Sequence, residues 1–234
     1  MLRLFVQSSA ITGARVRIAG AELRHLRTLR LGPGDDLVVF DERGREHRVV
    51  LQQVGTQAAD GDILDTSEHR RESPLDLVLA PALLKGAKMD LVIEKATELG
   101  VRRVAPVVTR YTIGQRGHAE RWRRIALAAA KQSGRTAIPN VDDPVPLAEL
   151  LASPWPGLRL LAWEDEHATT LAALPPAVAA VVVLIGPEGG FHADEVAAAR
   201  AADFATVKIA GRVLRAETAS IAAVALCQHR WGDG

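Results

Sequence analysis

A single cysteine, Cys227, in 234 residues excludes an intramolecular disulfide and any metal site built from clustered cysteines. Histidine offers no substitute. His167, His192 and His229 stand isolated rather than at ligand spacing, so no metal is expected. No apolar run approaches ~20 residues, and no basic segment followed by an apolar one opens the chain, so neither a membrane span nor secretion is expected. The expectation is a cytoplasmic protein. Several motifs are missing too. There is no G-x-S-x-G elbow, and the one cysteine falls inside a helical stretch, which speaks against hydrolytic chemistry. A G-x-G-x-x-G between a first strand and helix is absent, which argues against a nicotinamide oxidoreductase.

What is present is an ordinary globular composition, 48% apolar and 24% charged, long enough for one α/β domain or for a small domain plus a medium one. The net charge of +1 conceals a segregation. Residues 1–73 are balanced, with 11 Arg against 11 acids. Residues 74–135 carry 12 Lys and Arg against 5 acids, a net of +7, and residues 136–234 carry 6 against 12, a net of −6. Such segregation points to an anionic partner for the middle of the chain, or to solvated helix faces.

Residues 1–72 have the texture of short strands. Residues 3–6, 37–40 and 47–51 pattern as strands, 22–29 as a short helix and 41–44 as a hairpin turn. Closely spaced strands with one small helix imply a compact β-barrel-like module. His25, Arg27 and Arg30 fall near one another there, either as phosphate contacts or as scattered surface charge. Arg70-Arg71-Glu72-Ser73-Pro74 punctuates the chain and marks the expected domain boundary.

Beyond it, strands and helices alternate. Residues 75–81, 104–108, 158–163 and 181–185 read as strands, and 88–99 and 120–133 as helices, with Gly100 capping the first helix. Trp122, Ile125, Ala126 and Ala129 can face a core, while Arg124, Lys131 and Arg135 share another face. The alternation predicts a mostly parallel sheet covered by helices.

Residues 181–222 carry the strongest local signal. A valine-rich run stops at Gly186-Pro187-Glu188-Gly189-Gly190, and a helix with Asp194 and Glu195 in its first turn follows. A second strand, 207–209, runs into Gly211-Arg212-Val213-Leu214-Arg215 and a final apolar helix. Strand ends of this kind are where open α/β sheets place ligands. The loop lacks the Lys and Ser/Thr of a phosphate cradle, and Pro187 has no amide to donate. It suits either a nucleoside without phosphates or a tight turn with no ligand. Glu217 and Thr218 can cap the last helix, whereas Arg212 and Arg215 favour an anionic or electron-rich ligand.

Four blocks taken together carry a family resemblance. They are Lys88-Met89-Asp90 through Glu94-Lys95-Ala96-Thr97-Glu98-Leu99-Gly100-Val101, then Ala129-Ala130-Lys131-Gln132-Ser133-Gly134-Arg135 with Ile138-Pro139, then Leu184 through Gly190, and Gly211 through Ala219. In this order they closely resemble the 16S ribosomal RNA (uracil-N3)-methyltransferase family, the RsmE-type branch of the SPOUT class, over essentially the whole chain. One departure is Lys131, where members often carry Glu.

The resemblance implies a PUA-like RNA-binding β-barrel over 1–72 and an α/β SPOUT domain over 73–234, with a parallel sheet tied in a trefoil knot. It implies S-adenosyl-L-methionine as cofactor, a homodimer formed through the knotted domain, and N3 methylation of a uridine in 16S rRNA of the small ribosomal subunit. Cofactor contacts would fall on Leu184, Gly186, Pro187, Glu188, Gly189 and Gly190, and on Ile209, Gly211, Val213, Leu214, Arg215 and Thr218. Arg215 and Arg212, then Arg135, are the candidates for stabilising a uracilate, and Glu217 for orienting an arginine, accepting the proton or capping. RNA backbone would meet His25, Arg27 and Arg30, and Lys85, Lys88, Arg110, Arg124 and Lys131. Alternatives are a SPOUT relative acting on a ribose 2′-OH or on tRNA, and a non-catalytic RNA-binding module.

Overall fold

The structure, a computed structural model, describes residues 1–68, 72–112 and 118–234. Arg70 and Arg71, part of the expected boundary, lie outside the described residues. The chain divides into two compact units, Met1–Glu72 with Ala130–Ile138, and Ser73–Ala129 with Pro139–Gly234. The segment Ala130–Ile138, which the sequence division puts with the second domain, therefore groups with the first.

The first unit is built on one sheet. Its strands are β1 (Arg3–Phe5), β2 (Ile11–Thr12), β3 (Arg15–Ala19), β4 (Asp36–Phe40), β5 (Glu46–Val54) and β6 (Ala58–Ser67), in the order β1-β4-β5-β6-β3-β2. All ladders are antiparallel except β1 with β4. Alternation along β3 turns Val16 and Ile18 inward, where they meet Leu4, Leu37, Val39, Val49 and Leu51. Helix α1 (Gly20–Thr28) closes this core with Leu23 and Leu26, so its intervening Arg24, His25 and Arg27 face solvent. The added segment is fixed by charge. Lys131 Nζ lies 2.7 Å from Glu22, and Arg135, 4% exposed, donates to Glu72 over 2.6 Å. The other Glu72 oxygen accepts the amides of Thr136 (3.0 Å) and Ala137 (2.9 Å).

The second unit is a six-stranded, wholly parallel sheet in the order β10-β8-β7-β13-β12-β14. In chain order its elements are β7 (Asp76–Pro81), α2 (Ala87–Glu98), β8 (Arg103–Val104), β9 (Val107–Val108), α3 (Ala119–Ser133, whose last turn belongs to the first unit), β10 (Asn140–Val141), β11 (Val145–Pro146), α4 (Leu147–Ala152), β12 (Leu158–Ala162), β13 (Ala180–Ile185), α5 (Ala193–Ala201), β14 (Ala205–Val207) and α6 (Ala216–Trp231). Strands β9 and β11 pair separately.

Strand β13 lies at the middle, and its residues Val181 to Ile185 are at most 2% exposed. Covered on both faces, such a strand can be apolar at every position. Val182 and Leu184 pack with Val78, Leu161, Phe191, Val196 and Trp155 on the side of α4 and α5. Helix α6 packs on β7 and β13 at the other face, with α2 beside it. Burial of each large aliphatic side chain here contributes about 1.5–3 kcal/mol.

Three expectations change. Residues 104–108 do not form one strand, because Pro106 has no amide to pair and the chain leaves the sheet there. Val104 pairs with β7 and β10, and Val107 with β11. The strand expected at 207–209 ends at Val207, with Lys208 making only an isolated bridge to Thr170. Leu184, a cofactor candidate, is 0% exposed in the core and does not reach the cavity wall described below. Truncating it tests the core directly. Leu184→Ala should cost about 2–5 kcal/mol in urea unfolding, by lost burial and the cavity left behind.

Candidate active site

The parallel register places the strand exits at one level. Ile185 pairs with Ala162 on one side and Pro81 on the other, and Ala162 pairs with Val207. The loops after β7, β12, β13 and β14 therefore leave the same edge of the sheet. Between the last three of these loops lies a cavity of about 630 Å³. Its walls are drawn from 163–167 without Glu166, 186–190 without Gly189, and 208–215, together with the first turns of α6 at Ala216 and Ala219.

Each wall has a local cause. After β13 the chain turns on Gly190, at φ +69°, with its amide bonded to the Pro187 carbonyl at 3.0 Å. The left-handed φ is what asks for glycine here, since a Cβ would meet only the movable end of the Glu164 side chain. His192 then caps α5 in a reciprocal box with Glu195, the first-turn acid expected from sequence. After β14, Lys208 donates its amide to Thr169 over 2.8 Å, which joins the third wall to the first.

The first wall is braced by Glu166, a buried carboxylate. It accepts from Thr206 Oγ1 at 2.6 Å and from the amides of Ala168 at 2.9 Å and Thr169 at 3.0 Å. These bonds, the Thr206 one foremost, hold its carboxyl down at about 2. Arg200 reaches the same Thr206 hydroxyl at 3.0 Å and lies over the Trp163 ring.

The cavity carries both signs of charge. Glu164, Asp165 and Glu188 stand on its walls, as do Lys208, Arg212 and Arg215. Arg212 and Arg215 are exposed and make no ion pair among the described residues. Lys88 reaches Glu188 at 2.9 Å and Glu217 at 3.7 Å. The Glu188 carboxyl is lowered chiefly by that hydrogen bond, and the Lys88 ammonium is raised by it.

The structure brings most of the sequence candidates together. Gly186, Pro187, Glu188, Gly190, Ile209, Gly211, Arg212, Val213, Leu214 and Arg215 all line the cavity. Gly189 and Thr218 do not, and Gly189 instead lies against Tyr111. Neither Glu217 nor Thr218 caps α6. Arg215 is the N-cap residue and makes no side-chain capping bond. The Glu217 side chain faces Lys88 instead. Arg135 belongs to the first unit, where Glu72 holds it, and it is not on the cavity wall. Lys131 is likewise engaged with Glu22. Arg110 donates its amide to Glu195 over 2.8 Å and leaves its side chain exposed, and Lys85, Arg124, His25, Arg27 and Arg30 are exposed. The 163–167 wall was missed. Its signal was available, since β12 ends there in an acidic run, Glu164-Asp165-Glu166. Among the described residues, no group of three or more His, Cys, Asp or Glu could hold a metal ion, and no helix is long and apolar enough to cross a membrane.

Comparison with known proteins bears on this architecture. Residues 71–228 match the family model described as an RNA methyltransferase domain. The chain is 35% identical to ribosomal RNA small subunit methyltransferase E of Synechocystis sp., over 95% of this chain and 76% of that protein. The chain belongs to this methyltransferase family. The Bacillus subtilis member is 27% identical over 91% of this chain and 89% of its own length. A crystal structure of the Neisseria gonorrhoeae member bound to S-adenosyl methionine matches with a TM-score of 0.93 at 32% identity, covering 100% of this chain and 99% of that one.

The bracing of the first wall predicts a pH signature. A carboxyl lowered on folding contributes stability above its unfolded pKa near 4.5, and the contribution fades as pH falls through about 2. Glu166→Gln should therefore lower Tm at neutral pH, with the gap from wild type closing between pH 4.5 and about 2. Thermal melts across that range check it, and a gap independent of pH contradicts it.

Proposed function

We propose that this chain is an S-adenosyl-L-methionine-dependent methyltransferase that modifies N3 of a specific uridine in 16S rRNA of the small ribosomal subunit. The observation that carries the reading is the meeting of both glycine loops, 186–190 and 208–215, in one cavity at the strand exits. Family membership and the likeness to a cofactor-bound relative support it.

The residues present fit the cofactor. A cavity of about 630 Å³ is of a size for a nucleoside with an amino-acid tail. Its mixed charge suits a ligand that has an ammonium, a carboxylate and a sulfonium but no phosphate. Backbone of 186–190 and 209–214 would hold the nucleoside, with the acids and Lys208 of the walls facing the charged tail. The bound cofactor supplies an electrophilic methyl group.

What remains for the chain is alignment and charge. Holding the base in near-attack geometry is worth roughly 7–11 kcal/mol. Loss of the N3 proton leaves negative charge spread over the uracil oxygens, and a cation fixed beside them stabilises it. Arg215, exposed at the start of α6 and on the cavity wall, is placed for this role, with Arg212 beside it. The base must leave its stack to reach the cavity. Exposed Lys85, Arg110 and Arg124, and on the first unit His25, Arg27 and Arg30, are available for RNA phosphates.

The finer architecture belongs to the same reading. We read the second unit as a SPOUT domain with a trefoil knot. The run of 208–215 past loops 163–170 and 186–190, before α6 returns to β7 and β13, supports it. The first unit is read as a PUA-like barrel, on its strand-rich sheet and single covering helix. Pairing with a second copy through α2 and α6 fits the exposure of Leu91 (40%) and Leu226 (36%) on those helices. The reading places the enzyme in the cytoplasm, where its rRNA substrate is.

Two measurements test the proposal. Mapping of 16S rRNA by mass spectrometry should show N3-methyluridine with the gene and none without it, whereas a ribose-methylated or tRNA product overturns the reading. Arg215→Ala should lower kcat by roughly 100- to 1,000-fold, the usual cost of losing one charge-stabilising donor. Cofactor affinity by calorimetry should change far less. Wild-type turnover in that variant removes Arg215 from the chemistry.

A further inference from the structure

Lys88 is the second residue of α2, within its first turn. A cation there opposes the helix dipole, which favours anions at helix N-termini. Its position is therefore not explained by its own helix. The partners that offset it come from remote segments. Glu188, on the loop after β13, lies 2.9 Å from the ammonium, and Glu217, in the first turn of α6, lies at 3.7 Å. Glu188 is on the cavity wall, and so are Arg215 and Ala216, which immediately precede Glu217.

Glu217 is the more telling partner. Its side chain is 12% exposed, and its Oε2 is shielded from solvent and accepts no hydrogen bond. A shielded carboxylate oxygen without a donor is costly unless a cation compensates it. Lys88 is the cation within ion-pair distance of it among the described residues. Take the ammonium away, and two carboxylates face one vacated position, one of them largely out of water.

We infer that Lys88 is a positioning residue: it clasps the 186–190 loop to the first turn of α6, so that both cofactor-binding segments are held in one geometry, and it does not contact RNA. The inference rests on the reading that the cavity holds S-adenosyl-L-methionine. Lys88 acts through Glu188 and Glu217, not on the reacting atoms. The register of β7 with β13 makes the clasp possible, because Pro81 and Ile185 are level and the segment leading into α2 leaves beside the glycine loop.

The test compares wild type with Lys88→Met, Lys88→Arg and the double variant Lys88→Met/Glu217→Gln. Cofactor affinity is read by calorimetry with S-adenosyl-L-methionine, and RNA affinity by binding of a 16S rRNA fragment over a salt series. Lys88→Met should weaken cofactor binding on the order of tenfold, the size of coupling typical of side chains in one charged network. RNA affinity and its salt slope should stay at the wild-type values. Lys88→Arg should keep most of the cofactor affinity, and the double variant should recover much of the loss by removing the uncompensated charge. A purely structural lysine would show no such recovery. Unchanged cofactor affinity in Lys88→Met, a weakened RNA interaction with a reduced salt slope, or failure of the double variant to recover overturns the inference. Absence of cofactor binding in wild type defeats the underlying reading instead.

Discussion

Everything at the candidate site depends on register. Parallel pairing of β7, β13, β12 and β14 sets Pro81, Ile185, Ala162 and Val207 at one height. A shift by one residue would turn every side chain of a strand to the opposite face. It would also lift one loop off the cavity wall. The apolar run of β13 prevents this, because both faces of the strand are packed and each face accepts its side chains in only one alignment. The core and the site are thus one constraint seen from two ends.

Around that constraint the site is assembled by paired polar contacts, each joining two segments that the sheet has already brought near. Glu166 ties its own loop to β14 through Thr206, and Lys208 joins the same two segments by backbone. Lys88 reaches from α2 toward the glycine loop and α6. Half-exposed ion pairs such as Lys88–Glu188 contribute little to global stability. Their effect is on where the loops stand, which matters more for a pocket than for a fold. Arg212 and Arg215 are left out of this bracing, and their guanidinium groups remain available to a ligand.

Much of this was legible in the sequence because its signals are local. A valine-rich run ending in glycines, helical spacing at Met89, Val92, Ile93 and Ala96, and an acid-rich helix start all report on a few neighbouring residues. The first wall of the cavity was less visible. Nothing in Glu164-Asp165-Glu166 says that β12 will lie beside β13, since strand order is a non-local property. The α3 face fared similarly. The spacing of Lys131 and Arg135 suggests one helix face, but α3 ends at Ser133, before Arg135. Their partners Glu22 and Glu72 lie 109 and 63 positions away. The capping expected of Glu217 is absent for a related reason. A carboxylate in a first helical turn is a good cap on local grounds, and only the arrival of Lys88 from α2 turns it elsewhere.

The strand order also bears on how the chain reaches this state. Strand β13 separates β7 from β12, yet it is made after both, so these two neighbours wait for it, and only the edge strand β14 is added later. Until residues 180–185 are available, β7 and β12 each present an unpaired, apolar edge, the kind of surface that recruits other strands. Contacts of such long sequence separation slow folding. During synthesis the strands β10-β8-β7, and then β12, would wait unjoined until β13 is made, and the segment that joins them is the same one that delivers the glycine loop.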